Sequence, residues 1–155
     1  MAEHLIGIIS DTHGLLRPQA VKALGGVELI IHAGDLGGPE VLARLTAIAP
    51  VQAVRGNVDK GDWARPLPRN RVVAVGQVQL YVLHNLYELD LNPGAAGLAA
   101  VIYGHSHQPT LERQDGVLYL NPGSAGPRRF SLPVSLALLQ VTGDSLKIEF
   151  IELKI

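Results

Sequence analysis

No cysteine occurs anywhere in the 155 residues, which excludes disulfide bonds, thiolate nucleophiles and sulfur ligation of a metal. Any metal must be held by imidazole, carboxylate, amide and water, and a reducing cytoplasm is the expected compartment. Aromatic side chains make up only 5% of the chain, leaving little surface for stacking on bases. Charge is sparse as well: the formal net charge is −1, and the basic residues are dispersed apart from Arg128-Arg129. That excludes the broad positive footprint of a nucleic-acid-binding protein, so no stable nucleic-acid complex is expected. No apolar run approaches the roughly 20 residues that span a bilayer, and the first residues lack the basic segment of a secretion signal. Neither membrane insertion nor export is expected. What the chain has in quantity is apolar side chains, 47% of the residues, enough for one compact domain, 1–155, with a true core.

Short apolar runs alternate with polar loops. Leu5 to Ile9 is apolar without alternation, which reads as a strand buried on both faces. Pro18 opens a segment with Ala20, Val21 and Leu24 at helical spacing, and Gly25-Gly26 stop it before a second apolar run, Val27 to Ile31. The unit repeats: Pro39 starts a helix carrying Val41, Leu42, Leu45 and Ile48, followed by Val51 to Val54. Two such crossovers imply a parallel sheet. The second half changes character, with hairpins predicted for Arg71 to Val75 with Val78 to Leu83, for Thr110 to Gln114 with Val117 to Leu120, and for Val134 to Val141 with Leu146 to Ile151. Asp115-Gly116 suits a type I′ turn. Ala99 to Tyr103 reads as one more buried strand, and Leu91 to Leu98 as a loop or short helix. Parallel units followed by hairpins predict an α/β fold in which two mixed sheets pack face to face with helices outside.

The informative polar residues all follow predicted strands: Asp11 and His13, Asp35, Asn57, His84, then His105 and His107. Loops at the carboxyl ends of strands gather on one rim of such sheets and form the usual ligand crevice. In an extended loop, residues two apart project to one side, so Asp11 with His13, and His105 with His107, each present a pair. Taken singly, an Asp after a strand is an ordinary turn former and a lone His an ordinary buried side chain. Five separate segments delivering such residues to strand ends is a pattern that turn formation alone does not produce. Four imidazoles, two carboxylates and one amide give seven donors, or eight if a carboxylate bridges, which is four for each of two ions. Mixed nitrogen and oxygen donors suit manganese, with nickel, cobalt, iron and zinc as alternatives, whereas magnesium and calcium prefer oxygen throughout.

The ordered motifs Asp11-Thr12-His13, Gly34-Asp35, Gly56-Asn57, His84 and Gly104-His105-Ser106-His107 resemble those of the calcineurin-like metallophosphoesterases, in their short prokaryotic phosphodiesterase branch. The resemblance implies a four-layer αββα sandwich and two divalent metal ions, with Asp11, His13 and His107 on the first, Asn57, His84 and His105 on the second, and Asp35 between them. It implies a phosphodiesterase in which a metal-bridging hydroxide attacks phosphorus in line, with Asp35, Asn57 and His84 as the catalytic core and a phosphate-ester small molecule or nucleotide as substrate. Two positions depart from the family pattern: Val58 stands where many relatives have a histidine after the Asn, and Asn85 follows His84 where a glycine is common. Val58 cannot move a proton, so hydrolysis is expected to favour good leaving groups. Around this set, Arg55, Asp59 and Ser124 are candidates for substrate contact, His32 for hydrogen bonding behind the ligands, and Arg128 and Arg129 for the substrate rim. The alternatives are a nucleotide phosphatase or pyrophosphatase, and a non-catalytic interaction scaffold like the small subunit of retromer, which shares the fold. Exposed sheet edges make a homodimer plausible.

Overall fold

A computed structural model describes residues 2–155. Strand β1 (Glu3–Ile9) leads through α1 (Pro18–Ala23) to β2 (Leu29–His32), and α2 (Pro39–Thr46) leads on to β3 (Val51–Ala53). Both helices begin on proline, whose fixed φ and missing N–H cost nothing in a first turn. The remainder is almost all strand: β4 (Asn70–Val75), β5 (Val78–Leu83), β6 (Ala100–Ile102), β7 (Thr110–Gln114), β8 (Val117–Asn121), β9 (Ser135–Thr142) and β10 (Ser145–Glu152). The predicted elements are therefore present in the predicted order. Asp115 and Gly116 have φ of 50° and 78°, the left-handed pair that a type I′ turn requires.

The strands form two five-stranded sheets, in the orders β10-β9-β1-β2-β3 and β4-β5-β6-β8-β7. In the first, β1, β2 and β3 are parallel and β9 runs antiparallel beside β1. In the second, β5, β6 and β8 are parallel, flanked by the antiparallel edge strands β4 and β7. Ile6 and Ile8 of β1, Ile31 of β2, Leu80 and Val82 of β5, Ile102 of β6 and Leu120 of β8 meet in one buried cluster between the sheets. Ile30 of β2 points the other way and packs with Leu24, Val41 and Leu45 from the helical side. Alternate residues of one apolar run thus serve two cores, which is why the run does not alternate with polar residues. Truncating a fully buried side chain such as Ile31 to Ala is expected to cost about 2–5 kcal/mol.

The fold is the αββα sandwich, with an asymmetry between its outer layers. The first sheet is covered by α1 and α2. Among the described residues, the second is overlaid by the 3₁₀ turn Leu86–Glu88 and by residues 91–98, which form turns and no helix. Leu86 and Leu89 from this cover pack on Tyr81, Val101 and Tyr103.

The parallel strands point their carboxyl ends at one rim, where backbone hydrogen bonds continue beyond the strands themselves. Asp11 N donates to Gly34 O (3.0 Å), His13 N to Asp35 O (3.0 Å) and Gly14 N to Leu36 O (2.7 Å), so the loops after β1 and β2 run as a pair. Across the sandwich, Gly104 N donates to His84 O (3.0 Å), which ties the loop after β6 to the loop after β5.

Candidate metal centre

At this rim the side chains of Asp11, His13, Asp35, His84, His105 and His107 converge. His13 Nε2 lies 3.3 Å from His107 Nε2, and His105 Nδ1 lies 3.4 Å from His84 Nε2. Asp11 Oδ1 is 3.4 Å from His107 Nε2 and 3.6 Å from His13 Nε2. Asp35 Oδ2 is 3.1 Å from His84 Nε2 and 3.7 Å from His13 Nε2, so it reaches both imidazole pairs. Asp11 Oδ1 also approaches His84, at 3.8 Å. Asn57 is exposed and borders the same recess as His84 and His105.

The i, i+2 reasoning from sequence holds for the first pair and needs correcting for the second. His107 meets His13, whereas its near neighbour His105 meets His84, so the two histidines of one loop divide between two clusters. Nor is the backbone extended at these positions. Asp11, His13, Asp35, His105 and His107 have φ of 55°, 48°, 61°, 74° and 64°. Among the described residues only Asp115 and Phe130 share that conformation without being glycine. Left-handed backbone disfavours L side chains, and its concentration on five of the seven candidate donors marks a loop set held in place by its surroundings.

Those surroundings are specific. Each carboxylate has one oxygen anchored and one free. Asp11 Oδ2 accepts from Ser10 Oγ (2.7 Å) and His105 N (3.1 Å), while Oδ1 is buried with no hydrogen-bond donor. Asp35 Oδ1 accepts from Val58 N (3.0 Å), which leaves Oδ2 to the imidazoles. His84 Nδ1 donates to Ala33 O (2.8 Å), turning the Nε2 lone pair inward. Behind the ligands, Gly34 N donates to His32 Nδ1 (3.0 Å), so His32 carries its proton on Nε2 and passes a hydrogen bond to Thr12 Oγ1 (3.0 Å), which donates to Leu36 O (2.9 Å). His32 thus stitches the loops after β1 and β2 without touching the centre.

Electrostatics follow from this packing. Burial raises the Asp11 carboxyl, but the imidazoles of His107, His13 and His84 and the Ser10 hydroxyl outweigh it and hold the group far below the usual carboxylate range. Asp35 is lowered too, burial again opposing and His84 and the Val58 N–H prevailing. Asp11 and then Asp35 raise His13. His84 is lowered by burial and raised more by Asp35 and Asp11. His32, fully buried, is pushed down to about 4.

Two of the sequence-predicted substrate contacts have other work. Asp59 is buried, and its carboxylate accepts four backbone N–H groups: Asp35 (3.0 Å), Leu36 (3.2 Å) and Gly56 (2.9 Å) on Oδ2 and Gly37 (3.0 Å) on Oδ1. Buried and bonded to these amides, it clamps the loop carrying Asp35 to the loop carrying Asn57. Ser124 is buried as well and donates to Asp11 O (2.9 Å). Arg55 does border the recess beside Asn57, and Arg129 lies close enough to oppose the protonation of His13. Sequence reasoning missed Asn121, whose Nδ2 donates to Gly104 O and Ser106 Oγ (both 3.1 Å) and so fixes the loop bearing His105 and His107. Its Asn-Pro-Gly-Ser setting was the available signal. Gly56 and Gly104 are required by close approach: a Cβ on Gly56 would strike the Asp35 carboxylate, and one on Gly104 the Ser10 hydroxyl and Asp11 Oδ2.

A divalent metal fits this donor set. Two nitrogens bound tetrahedrally to one ion at about 2.0–2.1 Å stand roughly 3.3–3.4 Å apart, the separation seen in both imidazole pairs. The orphaned Asp11 Oδ1 is the buried anionic oxygen such an ion would satisfy. Fold and site together define a metal-dependent phosphoesterase.

The chain belongs to the calcineurin-like phosphoesterase superfamily, whose domain model matches residues 5–144. It is 38% identical to a probable metallophosphoesterase of Methanothermobacter thermautotrophicus over 162 residues, covering 95% of this chain and 91% of that protein. A phosphodiesterase of Methanocaldococcus jannaschii is 29% identical, with coverage of 76% and 82%. Among solved structures, Entamoeba histolytica Vps29 complexed with zinc superposes with a TM-score of 0.75 at 22% identity over 96% of this chain and 98% of that one, a likeness of fold.

Proposed function

We propose that this protein is a phosphodiesterase with a dinuclear centre, in which Asp11, His13 and His107 hold one divalent ion, Asn57, His84 and His105 the other, and Asp35 spans the two. The observation that carries this reading is the division of four imidazoles into two facing pairs with the free Asp35 Oδ2 reaching both. When bound, the two ions supply Lewis-acid charge against the phosphoryl oxygens and activate water as the nucleophile at neutral pH. The chain supplies position. Asp59 and Asn121 fix the loops, Ser10 and Val58 N orient the carboxylates, and Ala33 O orients His84. Val58, 42% exposed, brings no proton donor to the place where many relatives carry histidine. That favours esters with acidic leaving groups, while the preference for diesters over monoesters rests on the family resemblance alone.

Manganese is the proposed ion, from a set of mixed nitrogen and oxygen donors without sulfur that nickel, cobalt, iron and zinc suit as well. The cysteine-free composition supports a cytoplasmic setting for a single catalytic domain; no helix among the described residues is long and apolar enough to cross a membrane. The open β10 edge, with Phe150 on it, supports a homodimer. A complete donor set favours an enzyme over a scaffold of the same fold.

Elemental analysis of purified protein, with hydrolysis of bis(4-nitrophenyl) phosphate and 4-nitrophenyl phosphate across manganese, nickel, cobalt, zinc and magnesium, tests the proposal. Two ions per chain and faster diester turnover are expected. Fewer than two ions and no turnover under any metal would replace it with the scaffold reading. Rates across a series of aryl leaving groups should fall steeply as the leaving group becomes more basic; a flat dependence would contradict the missing proton donor.

A further inference from the structure

A recess of about 110 Å³ is walled by the proposed ligands Asn57, His84 and His105 and also by Arg55, Arg69 and a single carboxylate, Glu88. The two arginines are brought together by the backbone. Arg55 N donates to Pro68 O (2.7 Å) and the Arg71 guanidinium to Ala53 O (3.1 Å), which lays the segment carrying Arg69 alongside the one carrying Arg55. Among the described residues neither Arg55 nor Arg69 has an ion-pair partner, and Arg55 Nε is buried with no hydrogen-bond acceptor. A buried guanidinium N–H left bare is costly, and a planar fork beside a phosphate-processing centre is suited to an oxyanion. Asn57, His84 and His105 would hold the ion that meets the scissile phosphate, which leaves the two guanidinium groups of the same recess for a second anionic group.

A second cleft, about 240 Å³, shares Asn85 and His105 with the first and runs along Leu86, Tyr87 and Tyr103. Tyr87 is 98% exposed at its mouth. Tyr103 is buried in the wall of this cleft, so Tyr87 is the aromatic ring it offers for a flat ring to stack on.

We propose that the centre takes nucleotide-like phosphodiesters that carry a second phosphate, the ring lying on Tyr87 and the second phosphate between Arg55 and Arg69. The inference rests on the phosphodiesterase reading for the placement of the scissile group and adds the class of substrate. His105, at the junction of the two clefts, is where the scissile phosphate would sit between its two arms.

Titration calorimetry of the manganese-loaded protein with thymidine 5′-monophosphate and thymidine 3′,5′-bisphosphate tests it. The bisphosphate is expected to bind about tenfold more tightly, the worth of one charge-assisted contact at a partly exposed site. R69Q, at an exposed position, and R55Q should each bring the ratio towards one, with R69K retaining part of it. Y87A should weaken both nucleotides about five- to tenfold and leave the ratio alone. Equal binding of the two nucleotides by the wild type, an R69Q protein that keeps the ratio, or a Y87A protein that binds as the wild type does would overturn the proposal. Wild-type hydrolysis of bis(4-nitrophenyl) phosphate, measured alongside, separates the two readings. A protein that shows the ratio but hydrolyses nothing keeps the arginine recess and loses the phosphodiesterase assignment; an active protein without the ratio loses only the recess.

Discussion

Replacing Asp59 by Asn changes one atom and should disable the centre from behind. The carboxylate accepts three N–H groups on Oδ2 and one on Oδ1, and all four belong to the loops carrying Asp35 and Asn57. An Asn side chain oriented with its oxygen on the three-donor side keeps those bonds as neutral ones, which are worth about 1 kcal/mol less apiece than bonds to a charged acceptor. Its amide group then faces Gly37 N–H, donor against donor, and the fourth bond is lost. Relief from burying a charge offsets part of this, so a net loss of about 2–3 kcal/mol is expected. For a chain of this size each kcal/mol lowers Tm by about 2–4 °C, which makes the shift roughly 5–10 °C by thermal unfolding. Metal affinity should fall by about 10- to 100-fold, because Asp35 is no longer held in its left-handed conformation. Asp59→Ala should cost more, about 4 kcal/mol, by leaving several buried N–H groups without an acceptor. The control is Asp62→Asn on the surface, whose exposed pairing with Arg65 contributes little. An Asp59→Asn protein melting within 2 °C of the wild type and binding metal unchanged would refute the clamp.

Four further outcomes follow from the same geometry. A divalent ion at about a hundredfold excess over its Kd should stabilise the protein by about 2.7 kcal/mol per site. Asp35→Asn should forfeit most of that gain at both sites, and a variant with the full wild-type shift in Tm would count against the spanning role. Metal affinity should rise with pH above 6.5, because the carboxylates raise His13 and His84 and a ligating imidazole nitrogen must be free of its proton; calorimetry in buffers of different ionisation enthalpy reads the protons released, and none released would contradict it. His32 should titrate near 4 by NMR and remain the Nε2–H tautomer above that. Because its folded pKa is depressed, its contribution to stability is complete above pH 6.5 and declines by about 3 kcal/mol as pH falls to 4, and a midpoint above 6 would refute the buried network. Gly56→Ala, which drives a Cβ into the Asp35 carboxylate, should abolish metal binding at that position while the strands persist by circular dichroism; tight binding by this variant would show that the loops yield.

Much of the rim was legible because the donors lie a few residues after short apolar runs, and runs of that length bounded by turn residues read as buried strands. The helices from Pro18 and Pro39 were legible from their prolines and spacing, and the turn at Asp115-Gly116 from the demand for positive φ. The thin cover over the second sheet was not legible, since residues 91–98 carry too little periodicity to separate loop from helix. Arg69 gave no signal either: it lies twelve residues from Asn57 in sequence and reaches the recess only because Arg55 N bonds to Pro68 O.

The sequence by itself determined which residue types are available, that no cysteine or long apolar run is among them, and that seven candidate donors follow short apolar runs. Tertiary structure alone decided how those donors divide. His105 and His107, two residues apart, go to different partners because the left-handed backbone at both turns their rings apart and the loops after β1 and β5 meet them from opposite sheets. It decided likewise that Asp59 faces four amides and not a substrate. A carboxylate two residues from a metal-capable asparagine has the same chemistry in either role, and only the path of the loop after β2, folded back over it, brings those N–H groups within reach.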